Sequence, residues 1–302
     1  MKKILFVMFF LISFNALAEK SYKKIYYDNG ILKAEGWIDN ELKSNYWKFY
    51  YPSGTLKKIG QFNNDLENGF WKFYHENGTI NAEGPYIDAK KTGFWSYFFN
   101  NNKLQKKGEF LYGRETGFWI ENFSNGNLMK KGKYLKGLYN GFWKMYHFNG
   151  QLKKEGSFFN GKATGFWKYY FENGKLKSQG KYMNGEQTGY WEFYHSNSKL
   201  LKAGSFNAGI EINYWNFYYD NGNKEKEGHF VNGAKSNWWV YYDTSEKVNH
   251  KCQLKNNQKN GYCLMYNNEE LISASKFSEG IKINTWTDLA TFKKENKLSD
   301  LK

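Results

Sequence analysis

Two cysteines, five histidines and a recurring set of lysines are the side chains of this 302-residue sequence with chemistry to offer: thiol exchange, metal ligation or proton transfer, and anion binding. His75, His147 and His195 occupy one slot, four residues after a tryptophan, so their spacing belongs to a repeat and not to a ligand set. Even the nearest two, His147 and His195, lie 48 residues apart. At two strands per 24 residues that is four strands, about 19 Å across a sheet, too far to share an ion. The expected role is a surface residue at one repeat slot, with no metal site. No Ser-His-Asp or Cys-His arrangement stands apart from the repeat, and the Asn-Gly pairs read as turns, not as phosphate loops that open a helix. The sequence therefore predicts a non-enzyme without cofactor or metal.

Lys58, Lys106, Lys130, Lys154, Lys202 and Lys226 share another slot. Counting along the strands puts them opposite Phe49, Tyr97, Glu121, Met145, Phe193 and Phe217. A lysine stem can cover an aromatic ring with its ammonium over the face, worth ~0.5–1 kcal/mol when exposed. Glu121 and Lys130 are expected to form an exposed cross-strand pair. Two readings follow. One is a basic, aromatic-floored strip that binds anionic polymer or lipid head groups, and the other is solubility in a Lys- and Asn-rich chain.

The elements that hold these residues follow from the repeat itself. Trp47, Trp71, Trp95, Trp119, Trp143, Trp167, Trp191, Trp215 and Trp239 each stand 24 residues after the last, and glycines from Gly36 to Gly228 keep the same step. With 30 Gly, 2 Pro and 21% aromatic residues, the composition suits strands and tight turns better than a helical bundle. The unit GFWKYYFENGKLKSQGKYMNGEQT at 165–188 is an aromatic run, an Asn-Gly, a short run ending Gly-x-aromatic, and a polar link. A two-residue turn at Asn173-Gly174, with Glu172 opposite Lys175, places Trp167 opposite Gly180. A link turn centred on Gly185-Glu186 places Gly180 opposite Trp191 as well. Every interior indole then lies between two glycines, whose missing Cβ leaves it room. Period-2 counting puts Leu104, Leu128, Leu152, Leu176 and Leu200 on the Trp face with Phe110, Tyr134, Phe158, Tyr182 and Phe206. The other face carries Phe118, Phe142, Phe166 and Tyr190 with Tyr146, Tyr170 and Tyr194. The predicted fold is all-β: a single-layer, elongated, twisted antiparallel meander of hairpins, a rod of roughly 20 strands.

Stepping 24 residues from Gly228 and Trp239 lands on Cys252 and Cys263, so two cysteines replace a facing glycine and tryptophan. Directly opposed residues sit ~4.5–5.5 Å apart at Cα, within disulfide range. A structural disulfide is expected there, two free thiols being the alternative. Trp286 falls one residue short of the next step. At the other end, Lys2-Lys3, the apolar run Ile4 to Phe14 and Ala16-Leu17-Ala18 read as a secretory signal peptide, leaving Glu19 first. An N-terminal anchor is the alternative, but the run is well short of the ~20 residues that span a bilayer, and no longer apolar run follows residue 20. The expected layout is a signal peptide at 1–18, a repeat array at 19–242, degenerate repeats with the disulfide at 243–289, and a charged tail at 290–302.

The pattern GxWxxYxxNGxLxxxGxY over about residues 22–242 resembles the bacterial variant of the MORN repeat, the family often labelled YwqK-like antitoxins. The resemblance implies an elongated hairpin sheet used for protein contacts, scaffolding or lipid contact, with no catalytic residues to carry over. Export and a formal net charge of +15 favour a protein partner or an anionic envelope component over nucleic acid. The expected function is an exported, non-enzymatic interaction scaffold of periplasm, outer envelope or medium. A binder of anionic glycan or lipid head groups, and an antitoxin or immunity protein, are the alternatives.

Overall fold

The computed structural model describes residues 20–297 and 301. The expected signal peptide lies outside the described residues, as do positions 298–300 and 302 of the tail. Among the described residues are 24 strands and one helix of regular length, Leu289–Glu295, here α1. The chain divides into two units, residues up to 103 with 110–113, and 104–109 with the rest. Both are antiparallel meanders of consecutive hairpins, the all-β architecture the repeat predicts.

The Trp–Gly facing holds in both units. Trp47 pairs with Gly60 and with Gly36, Trp143 with Gly156 and Trp167 with Gly180. At Gly156, a Cβ would come within 2.2 Å of Cδ2 of Trp167, so only glycine lets the indole lie on the backbone. In the opening half unit Lys23 stands where the indole would be, opposite Gly36.

The two turns, however, are exchanged relative to the sequence reading. The link is the two-residue turn: Asn184 and Gly185 both have positive φ, at 54° and 93°, and Met183 pairs with Glu186. That is type I′ geometry one residue earlier than the centre expected. The Asn-Gly turn is instead a three-residue loop, in which Gly174 N–H donates to Phe171 O and Phe171 N–H donates to Lys175 O. The register shifts again between Tyr169 and Tyr170, so Trp167 still meets Gly180. On the link side the compensating shift lies between Gln179 and Lys181. It falls beside Gly189, whose φ of +64° marks the bulge. This explains the small residue two positions before each tryptophan: Gly141, Gly165 and Gly189 have positive φ there, and Asn45, Asn213 and Asn237 take their place in other repeats.

A bulge also changes sidedness, which corrects the leucine assignment. Leu176 pairs with Tyr170, which points away from the Trp167 face, and Leu152 pairs with Tyr146 in the same way. These leucines sit on the back face because one extra residue inverts the alternation.

The core is a layer of rings on the front face. All nine in-phase indoles are at most 1% exposed. Where the residue two positions on is aromatic it packs against the indole, and a ring on a neighbouring strand supplies an edge, as Tyr169 at 6.0 Å and Phe158 at 4.9 Å do for Trp167. Glu121 and Met145 stand there after Trp119 and Trp143. Burial of such rings contributes the apolar area, and the indole N–H is not left unsatisfied. Trp143 Nε1 donates to Lys133 O at 3.0 Å and Trp191 Nε1 to Lys181 O at 3.1 Å, carbonyls on the neighbouring strand.

At the end of the array Cys252 and Cys263 are directly paired, Cα atoms 4.0 Å apart, and joined as a disulfide. Trp286 pairs with Ala274, itself opposite Leu264, so its one-residue offset sends the indole to the back face. There it packs with Tyr262, Leu264, Ala274 and Phe292 of α1, a buried cluster distinct from the front-face core. Asp288 caps α1, accepting from the N–H groups of Ala290 and Thr291.

Candidate functional site

The lysine slot is built into the front face. Lys58 Nζ lies 4.7 Å from the Phe49 ring and 5.0 Å from the Trp71 ring, and 3.6 Å from Glu67. Lys202 repeats this with Phe193 and Trp215, both at 4.9 Å, and Glu211 at 3.0 Å. Lys226 sits over Phe217 at 5.0 Å and pairs with Glu225 at 2.9 Å. Lys106 and Lys154 lie over Trp119 and Trp167 at 5.4 and 5.8 Å. Burial, with Lys153 nearby, pulls the Lys154 ammonium below its ordinary pKa. The Glu121–Lys130 pair, expected at the surface, is mostly covered: the side chains are 16% and 19% exposed and 3.1 Å apart. Lys130 also donates to the Tyr139 hydroxyl at 2.8 Å. Burial works against its charge, but these two partners outweigh it and raise its pKa.

A second lysine slot, four residues before tryptophan, escaped the sequence reading. Lys43, Lys91 and Lys235 lie over Trp47, Trp95 and Trp239 at 5.8, 4.4 and 4.3 Å. The signal was available in the sequence. Where the first slot holds Ala34 or Ala82 in place of lysine, Lys43 or Lys91 stands nine residues later. Seven of the nine indoles thus have an ammonium 4.3–5.8 Å from the ring, supplied from one slot or the other. Trp143 instead has Tyr139 on edge at 4.3 Å. The arrangement roofs the indoles with alkyl stems and a cation, a packing device that also neutralises most of the strip through ion pairs.

The histidines are structural in a more specific way than a surface slot suggests. His75, His147 and His195 each place Nε2 2.9–3.0 Å from the carbonyl of Phe98, Tyr170 or Tyr218 in the following repeat. Tyr27, Tyr51 and Tyr219 make the same bond with their hydroxyls. The slot stitches successive turns together along one edge. Among the described residues no cluster of three potential metal ligands occurs.

The back face is different in kind. Its inner rows are satisfied: Tyr170 donates to Glu155 at 2.9 Å, and burial followed by that carboxylate pushes its pKa up to about 12. The residue immediately before the tryptophans from Trp47 to Trp215, in contrast, projects into solvent, whereas Trp238, before Trp239, is half-buried against the terminal cluster. In the first unit Tyr46, Phe70 and Phe94 do so. In the second, Phe118, Phe142, Phe166, Tyr190 and Tyr214 are 41–58% exposed. Tyr262 holds the same slot and is only 2% exposed, because α1 covers it. The aromatic back face was legible in the sequence, but not its exposure in the repeats or its cover at the end.

With that geometry in view, five segments of the chain match the MORN repeat variant, at residues 44–64, 67–88, 139–160, 164–184 and 211–232. Those five segments are similar to that repeat variant. They fall on the hairpins that carry the Trp-on-Gly pairs, and that repeat supports a binding role. No curated protein matches the sequence. Among solved structures, the chain is similar to one in a crystal structure of TcdB2-TccC3-Cdc42, with 12% identity over 84% of this chain and 14% of that one, TM-score 0.18. It is also similar to one of TcdB2-TccC3-TEV, with 9% identity over 86% of this chain and 19% of that one, TM-score 0.17. The chain thus spans under a fifth of the length of these solved chains, and at such scores the likeness carries no argument.

Proposed function

We propose that this repeat protein is an exported, non-enzymatic scaffold that binds a protein partner at the cell envelope through its back face. The observation that carries the reading is the row of solvent-exposed aromatics at one repeat slot of the second unit, Phe118 to Tyr214, set against a front face whose indoles are buried. Monomeric proteins rarely leave apolar side chains exposed in series, and such rows mark interaction surfaces. Export is supported by the charged, apolar and small-residue pattern of residues 1–18 and by a disulfide, which persists in oxidising compartments. The anionic-ligand reading of the lysine strip loses force, because Lys58, Lys130, Lys202 and Lys226 already hold carboxylates.

Pull-down from envelope extracts at low and high salt tests this reading. Capture of a discrete protein that survives high salt supports it. Capture of only an anionic polymer or lipid, released by salt, restores the lysine strip as the binding element. A mature form with Glu19 first in the periplasm or medium supports export, and an intact Met1 in the cytoplasm contradicts it.

A further inference from the structure

The slot that is open from Phe118 to Tyr214 in the second unit is half-buried at Trp238 and covered by a helix at Tyr262, and that occupant is instructive. Phe292 of α1 meets Tyr262 edge-on with ring centroids 5.8 Å apart, and Trp286 at 5.3 Å. The Tyr262 hydroxyl donates to Asn296 Oδ1 at 2.6 Å, which fixes the end of the helix. Lys293 and Lys294 of α1 leave the apolar side of the helix to Phe292, the buried residue of that element. The back face therefore receives a short amphipathic helix through one aromatic anchor per slot. Phe118, Phe142, Phe166, Tyr190 and Tyr214 continue that face at 24-residue intervals without such a cover.

Charge decides what kind of helix fits. Phe118 pairs across the strands with Lys133, and Phe166 with Lys181, both lysines exposed. Two copies of this face would bring those ammonium groups together, which disfavours self-association. We infer that the exposed aromatic row of the second unit docks an acidic amphipathic helix of a protein partner, anchored by an aromatic side chain in the manner of Phe292. The inference rests on the protein-scaffold reading above and gives its partner a chemistry. A helix laid in an apolar groove is a recurrent recognition mode, and here the groove is a sheet face read by anchors about two strands, or ~10 Å, apart.

The probe is a fluorescent peptide with the sequence of residues 287–297 in which Lys293 and Lys294 are replaced by Glu, titrated against the mature protein by anisotropy. Saturable binding is expected. It should weaken about tenfold or more in the triple variant Phe118→Ser, Phe142→Ser, Phe166→Ser, the size expected when aromatic anchors are lost. Lys133→Glu with Lys181→Glu, which leaves every ring in place, should weaken it several-fold, and a peptide with Ser at the Phe292 position should bind far less. Binding unchanged in both variants overturns the inference, as does absence of binding. Row-dependent sedimentation with phosphatidylglycerol vesicles but no peptide binding would also overturn it, in favour of a membrane surface. If envelope pull-down still captures a protein that ignores both variants, the scaffold reading stands and the docking row falls.

Discussion

Around Trp143 the indole lies against Gly132 with the Tyr134 edge 5.0 Å away, while its chain neighbour Phe142 points to solvent. Around position 263 both choices reverse. A disulfide stands where the indole and its glycine would be, and Tyr262 is buried beneath α1. Inside the array an indole such as Trp191 has rings on both neighbouring strands, Tyr182 and Phe206, to complete its packing. Cys263 is followed instead by the strand Glu270–Ser278, where Ser275 faces it. A covalent link needs no such neighbour, so it suits the end of a stack of repeats that each depend on the next. The back face teaches the converse: it is covered only where the array stops, and stays open where repeats continue.

The comparison breaks most sharply at the glycine slot. Gly156→Ala places a Cβ 2.2 Å from the Trp167 ring and should cost about 3 kcal/mol or more by overpacking. Position 252 is the same slot, paired with Trp239 on one side but with Cys263 in place of the next indole on the other, and it already carries a side chain. Urea denaturation of the two sites' alanine variants, under reducing conditions for Cys252→Ala, should separate them clearly. Next is the covered aromatic. Tyr262→Ala removes a ring held by Trp286 and Phe292 and should cost ~3 kcal/mol, read as a lower unfolding midpoint. Cys252→Ala with Cys263→Ala opens a clamp between residues 11 apart and should cost ~2–3 kcal/mol. Thiol labelling of the unreduced native protein should find no reactive thiol, and two would count against the clamp.

The smallest effect is alkaline. Tyr50, Tyr170 and Tyr194 each have a pKa pushed up to about 12, by partial burial first and then by Glu35, Glu155 or Glu192. Their unfolded value is about 10. A raised folded pKa gives stability that is fully present below the unfolded value and lost as pH rises through the folded one. Melting temperature should therefore fall between about pH 10 and pH 12, and Tyr170→Phe with Tyr194→Phe should flatten that slope.

Most of the fold was legible because tryptophan and glycine recur in phase over 200 residues, and period-2 geometry forces them to face. Both turns were misplaced, yet the register survived, since each turn's offset is cancelled by a bulge before the Trp–Gly pair is reached. The leucines had no such protection: Leu176 lies between the turn and the bulge, where the alternation is inverted. Bulges depend on φ at single residues such as Gly189, which a residue pattern does not reveal. The lysines of the first slot were found, but their partners Glu67 and Glu211 sit nine residues further on and become neighbours only through the link turn. The cover on Tyr262 depends on where α1 folds back, which no repeat encodes.

The central claim is that two chain neighbours at each repeat serve opposite purposes, one ring holding the sheet together and the other left for a partner. Equilibrium urea unfolding of Trp143→Ala and Phe142→Ser, each against the unaltered protein, measures it directly. The structure predicts a loss of ~3–5 kcal/mol for the buried indole and below ~0.5 kcal/mol for the exposed phenyl ring. Comparable losses at the two positions, or a larger one at Phe142, would contradict the assignment of the front face to packing and the back face to binding.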